Sequence, residues 1–176
     1  MNGLIWFWPG VAVSIVASRL LASRAARALN ANWWVAWLLV ISLGVIVSAT
    51  LTPIHAPGGI DIAAERPCDL SRRWFASPTE IIALTDVTLN LAVFIPFGFA
   101  VGLLPISGRT FAVVVAATAL PPAIEGLQFL VPVLARGCQS GDVVDSLTGL
   151  AVGMAAAIVA RSLRSLWARI RPVSRP

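Results

Sequence analysis

Five apolar stretches run through this chain, near Leu4–Leu21, Trp33–Pro53, Ile81–Leu104, Thr110–Leu134 and Val143–Ala160. Each is about 18–25 residues long, enough for a helix to cross roughly 30 Å of hydrocarbon. Lipid offers no partner to backbone N–H and C=O groups, so segments of this kind cross only as helices. Composition agrees: 58% of the 176 residues are hydrophobic, 12% are charged and none is lysine. That is too apolar, and too continuously so, for a soluble domain. The expected fold is all-α, a polytopic transmembrane helix bundle of about five spans. Pro9, Ser14 and Ser18 dilute the first stretch, and an interfacial helix is the alternative there. No basic residue precedes it, whereas Arg19, Arg24 and Arg27 follow, which argues against a cleaved signal peptide.

Arginine placement orients the bundle. Arg19, Arg24, Arg27, Arg109, Arg161, Arg164, Arg169, Arg171 and Arg175 fall on one side, leaving Arg66, Arg72, Arg73 and Arg136 on the other. The positive-inside rule then gives an N-terminus outside and a C-terminus inside, in a plasma membrane. Trp6, Trp8 and Trp74 would mark the outer interface, and Trp33, Trp34, Trp37 and Trp167 the inner one. A net charge of +5 suggests nucleic acid at first sight. These arginines are span-flanking anchors, however, and the stretch Arg161–Arg171 suits anionic lipid, so nucleic acid is excluded. The chain divides into 1–32 (first span and link), 33–160 (a membrane domain with the outer loop 54–79) and a basic tail, 161–176.

The outer loop opens with Pro53, Pro57, Gly58 and Gly59, which break any helix. A short surface helix is expected from Ala63 to Phe75. His55 has no second His or Cys at ligand spacing, so no metal is expected, and no cofactor motif is present. Cys68 in this loop and Cys138 in the link after the fourth span are the only cysteines. Topology assigns both to the oxidising side, where they are expected to form a disulfide.

Gly98 and Gly102 in the third span are four apart, as are Gly149, Gly153 and Ala157 in the fifth, a spacing that lets helix backbones approach closely within one molecule. Pro96, Pro121, Pro122 and Pro132 interrupt the spans and mark places where protein or a cavity is adjacent.

Ionisable residues inside spans are costly and are functional candidates by default. Asp86 has Asn90 four residues on, and Glu125 has Gln128 three residues on, so each pair shares a helix face. Counted from the outer ends of their spans, Asp86 and Asn90 lie about 9 and 15 Å deep, and Gln128 and Glu125 about 9 and 13 Å deep. The depths match. Arg136, Asp142 and Asp145 belong to the same outer half, Arg136 as a counter-charge for the acids and Asp142 as an acid favoured by a helix N-terminus. One polar pocket in the outer leaflet, made by Asp86, Asn90, Glu125, Gln128, Arg136 and Asp142, is expected.

In this order the residues resemble the VanZ-like family. Asp86 and Asn90 followed by Phe94-x-Pro96-x-Gly98 look like one family segment, and Glu125-x-x-Gln128 like a second. Arg136-x-Cys138-x-x-x-Asp142 followed by Gly149-x-x-x-Gly153 is similar to the last, and Thr50-Leu51-Thr52-Pro53 is typical of the end of a span. The likeness covers roughly 33–160; Ser146 departs from it, standing where the family has asparagine. The resemblance implies a small multi-span envelope protein, and the family's named member lowers susceptibility to teicoplanin, a lipid-tailed glycopeptide. The expected partner is a membrane lipid, a lipid-linked cell-wall precursor or a lipoglycopeptide, bound without catalysis. The alternatives are an intramembrane enzyme using Glu125 or Asp86 as general acid/base, disfavoured by the lack of a nucleophile, and a lipid transporter.

Overall fold

The computed structural model describes residues 6–53, 68–72, 74–77, 79–80, 86–131, 134 and 136–170, with Asp86 described by its backbone alone. Among them are five helices and no strand: α1 (Phe7–Leu29), α2 (Trp33–Thr50), α3 (Asp86–Gly102), α4 (Gly108–Leu130) and α5 (Ser140–Ile170). Helices α2, α4 and α5 are each long and apolar enough to cross a membrane. Among the described residues, three of the expected five spans thus meet the length and apolarity that a crossing needs. Helix α3 is apolar but shorter, and residues 81–85, which were to begin its span, lie outside the described residues. Helix α1 has 23 residues but carries three serines and three arginines.

Local chemistry sets the helix ends. Helix α1 stops at Asn30, whose backbone is left-handed (φ 51°), a conformation asparagine tolerates better than other non-glycine residues. The N–H of Ala31 returns to the carbonyl of Ala26, and α2 starts two residues later, making a tight antiparallel hairpin. Helix α4 begins behind Ser107, whose hydroxyl accepts from the Thr110 N–H at 3.2 Å, and runs unbroken through Pro121 and Pro122. Helix α5 continues past Ala160 to Ile170, about 46 Å in all. The expected tail is therefore helical for its first ten residues, which include neither glycine nor proline. The expected surface helix at Ala63–Phe75 is absent from its described part: residues 68–72, 74 and 75 are non-helical, and Asp69 instead bridges to Gln139.

Two interfaces of different construction hold the bundle. Helices α3 and α5 run parallel with backbones nearly touching. A Cβ on Gly98 would strike the carbonyl of Leu150, one on Gly149 the carbonyl of Leu91, and one on Gly153 the carbonyl of Ile95. The expected glycine rows are this seam. Helices α1 and α2 use a reciprocal arrangement. Gly10 faces Ser48 and Gly44 faces Ser14. Each serine hydroxyl returns to the glycine carbonyl four residues back on its own helix, Ser14 to Gly10 (2.7 Å) and Ser48 to Gly44 (2.8 Å). The hydroxyls are thereby satisfied within their own helices and the serines pack as small residues. The core between these pairs holds Leu39, Ile46, Phe94, Phe97, Val101 and Ile124.

Successive helices alternate in direction. One end of the bundle therefore gathers the C-termini of α2 and α4, the N-termini of α3 and α5 and the Cys68–Cys138 disulfide, and is called the disulfide end below. The opposite end gathers Arg19, Arg27, Arg109 and Arg161.

Candidate functional site at the disulfide end

Cys68 and Cys138 are joined in a disulfide with their Cα atoms 4.6 Å apart. The Asp69 N–H donates to the carbonyl of Cys138 and the Ser140 N–H to that of Asp69, each at 2.9 Å. These bonds bind segment 68–72 to the link between α4 and α5. The segment delivers Arg72 across the first turn of α5. Ser140 Oγ donates to the Arg72 carbonyl (2.6 Å), and Gly141 leaves room for the side chain, since a Cβ there would lie 3.2 Å from Arg72 Cδ. The guanidinium then meets Asp145 in a two-pronged pair, Nη2 to Oδ1 at 2.7 Å and Nη1 to Oδ2 at 2.9 Å. Asp145 is 1% exposed. A carboxylate that buried needs such a partner.

Glu125, one turn before the end of α4, is also buried. Its Oε2 accepts from the Gln139 N–H at 2.7 Å, so the carboxyl group stands at the start of α5, where backbone N–H groups without helical partners need acceptors. The charges of Asp142 and Arg136 reach this carboxylate. Gln128, one turn on, donates to the carbonyl of Thr50 at 2.8 Å. Arg136 donates from Nη2 to the carbonyl of Ala49 (2.6 Å) and from Nε to that of Thr52 (3.4 Å). The last carbonyls of α2 have no partners within their helix; an amide from α4 and a guanidinium from the following link supply them.

Of the residues expected to form one pocket, Glu125, Gln128, Arg136 and Asp142 come together at this end. Asp142 lies half-buried in the first turn of α5, Asp86 opens α3 at the same end, and Asn90 is half-buried one turn further along. The Asp86 side chain and His55 lie outside the described residues. Arg136, expected as a counter-charge, also ties α2 to α4. Sequence reasoning gave Arg72 no role. Its only signal was a basic residue four positions from Cys68, too little to assign Asp145 as its partner. Among the described residues no three His, Cys, Asp or Glu side chains are grouped to hold a metal. Ahead of α3 in the chain, hydrogen bonds from Ser71 hold the Asp69 carboxyl below its ordinary range, and bonds from Ser77 do the same for Glu80.

Comparison of the chain with family models, with curated proteins and with solved structures found no match.

Proposed function

We propose that this is a VanZ-like integral membrane protein of the cell envelope, with five spans and its N-terminus outside, whose disulfide end lies in the outer leaflet and binds an amphiphile there. A lipid-linked cell-wall precursor or a lipoglycopeptide is the ligand, and lowered teicoplanin susceptibility is the expected phenotype. The observation that carries this reading is Glu125, a buried acid beside a disulfide-fastened link. Proteins keep ionisable groups at such depth where they serve a ligand, a proton or a network. Gln128, Arg136, Asp142, Asn90 and Asp86 supply further polar groups around it, and the exposed apolar residues in the last turn of α4, Leu127, Phe129 and Leu130, suit an acyl chain running alongside.

The test is a thermal-unfolding shift of the full chain in lipid nanodiscs on adding a lipid-linked cell-wall precursor. The wild type should be stabilised and Glu125→Gln should not. No shift in the wild type, or an equal shift in both, overturns the proposal.

A further inference from the structure

Segment 68–72 joins the bundle with little packing of its own. Asp69, Leu70 and Ser71 are exposed, as are Trp74 and Phe75 just beyond, so burial of apolar surface contributes little to ordering this stretch. A non-helical segment of that kind opens readily unless something other than packing holds it. Here the Cys68–Cys138 bond does so, with two backbone hydrogen bonds beside it and the Ser140 hydroxyl on the Arg72 carbonyl. Of these, the disulfide alone is covalent.

The bond lies near the surface, and what it secures lies inside. Cys68 and Cys138 are each half-buried, with Gly137, Gln139 and Asp69 exposed beside them, so a thiol reagent can reach the sulfurs. Four residues on from Cys68, Arg72 meets Asp145, which is 1% exposed. One accessible bond therefore governs whether a buried carboxylate has its guanidinium. The two sides of that bond are unequally anchored. Cys138 continues into α5 through Gln139, whose N–H is held by Glu125, whereas segment 68–72 hangs on the link by hydrogen bonds. When the bond breaks, segment 68–72 is the side that leaves. Its arginine has an exposed acid to turn to, since the Arg72 charge already reaches Glu80.

We infer that the Cys68–Cys138 bond is a redox latch on Asp145: reduction by a dithiol frees segment 68–72, withdraws Arg72 and opens the buried carboxylate to water. The sulfurs of the dithiol join in a disulfide of their own, and the two electrons and two protons they give up leave Cys68 and Cys138 as separate thiols. Without its guanidinium Asp145 cannot stay both charged and dry, so the structure around it must admit water. The latch does not depend on the ligand proposed above. Carbodiimide-driven coupling of an amine to carboxyl groups, mapped by mass spectrometry on the full-length protein in lipid nanodiscs, tests it. Asp145 should be unlabelled in the oxidised protein, labelled after dithiothreitol has been added and removed under nitrogen, and protected again on reoxidation. Paired Cys68→Ser and Cys138→Ser changes should expose Asp145 to labelling without any reductant. With Arg72→Ala, Asp145 should be labelled in both redox states and reduction should add nothing, because the bond acts through Arg72. Glu125, anchored on the link side, should stay unlabelled throughout. Protection of Asp145 in the reduced protein and the serine variant overturns the inference, as does its protection in oxidised Arg72→Ala protein. So does labelling of Glu125 together with Asp145, which would make the disulfide a staple of the whole end and not a latch on one pair.

Discussion

The two ends of the bundle use the same device at different depths. Each places guanidinium groups on carbonyls near helix C-termini. At the arginine end Arg109 donates to Ala28 (2.7 Å) and Arg161 to Leu104 (3.0 Å); at the disulfide end Arg136 donates to Ala49 and Thr52. Arg109 and Arg161 are exposed, whereas Arg136 and Arg72 are half-buried and stand beside two buried acids, Glu125 and Asp145. Water can replace an exposed arginine at a helix end. It cannot replace one that neutralises a carboxylate out of water's reach. The disulfide end is therefore the one where single substitutions carry large consequences.

The largest expected effect separates the ends directly. Arg72→Ala leaves Asp145 buried and unpaired, and should destabilise the protein by about 3–5 kcal/mol, nearer the lower figure because Arg72 is itself 27% exposed. Arg161→Ala, at the other end, should cost no more than about 1 kcal/mol. Equilibrium unfolding in detergent measures both, and comparable losses would break the contrast. Replacing Arg72 and Asp145 together with apolar residues of similar volume should recover most of the loss, since it is the lone charge that is costly.

Next comes the staple. The bond between Cys68 and Cys138 closes a sequence separation of 70 residues, and paired Cys68→Ser and Cys138→Ser changes should cost about 2–4 kcal/mol. Hydrogen exchange should then rise at Asp69 and Ser140, whose N–H bonds tie segment 68–72 to the link, and stay unchanged around Asn30 at the opposite end. An equal rise at both ends would mean the staple sets global stability and not the order of one end.

How far the two ends were legible in the sequence follows the same division. The arginine end was written plainly, because charge asymmetry along the chain is a one-dimensional signal. At the disulfide end, the cysteine pair followed from topology, and Glu125 and Gln128 from polar residues within an apolar run. The Arg72–Asp145 pair did not. It joins residues 73 positions apart, and only the fold brings them together. Arg136 was read as a partner for acids because charge is visible in a sequence, while the bare carbonyls ending α2 are not. The row Gly10, Ser14 with its counterpart Gly44, Ser48 was available as a repeated Gly-x-x-x-Ser spacing, but Ser14 read as dilution of a span and Ser48 was given no role. The α3–α5 glycines were read correctly because four-residue spacing of glycine has few other uses in an apolar helix.

The seam joining the ends supplies a smaller effect. Gly153→Ala should cost about 1–3 kcal/mol, since the new Cβ meets the Ile95 carbonyl and no flexible side chain can yield. Gly126→Ala, on α4 with open space around it, should instead be neutral or stabilise by up to about 1 kcal/mol through helix propensity. Thermal unfolding of the two variants checks this, and a loss at Gly126 as large as at Gly153 would show that the seam is not what holds α3 to α5.

The smallest expected effect is one of pH, and only one end can show it. Every described carboxylate belongs to the disulfide end and the loop above it; the arginine end has none. Asp69 and Glu80 are held below their ordinary values by hydrogen bonds from Ser71 and Ser77. A carboxyl depressed in the folded state binds its proton less readily there than when unfolded. Its contribution is therefore complete above the ordinary carboxylate range and is lost as pH falls through the depressed folded value. Both groups are fully exposed, so the loss should be slight and local. Ser77 and Glu80 form a reciprocal cap, with Ser77 N–H on Glu80 Oε2 at 2.7 Å and Glu80 N–H on Ser77 Oγ at 3.3 Å. Ser77→Ala should let the Glu80 carboxyl rise toward its ordinary value while leaving Asp69 unmoved, as read from side-chain carboxyl NMR shifts against pH. Acidification through the same range should leave the amide signals around Asn30 and Arg109 unshifted. Movement there in step with Glu80 would mean that the two ends are coupled through the bundle and do not titrate separately.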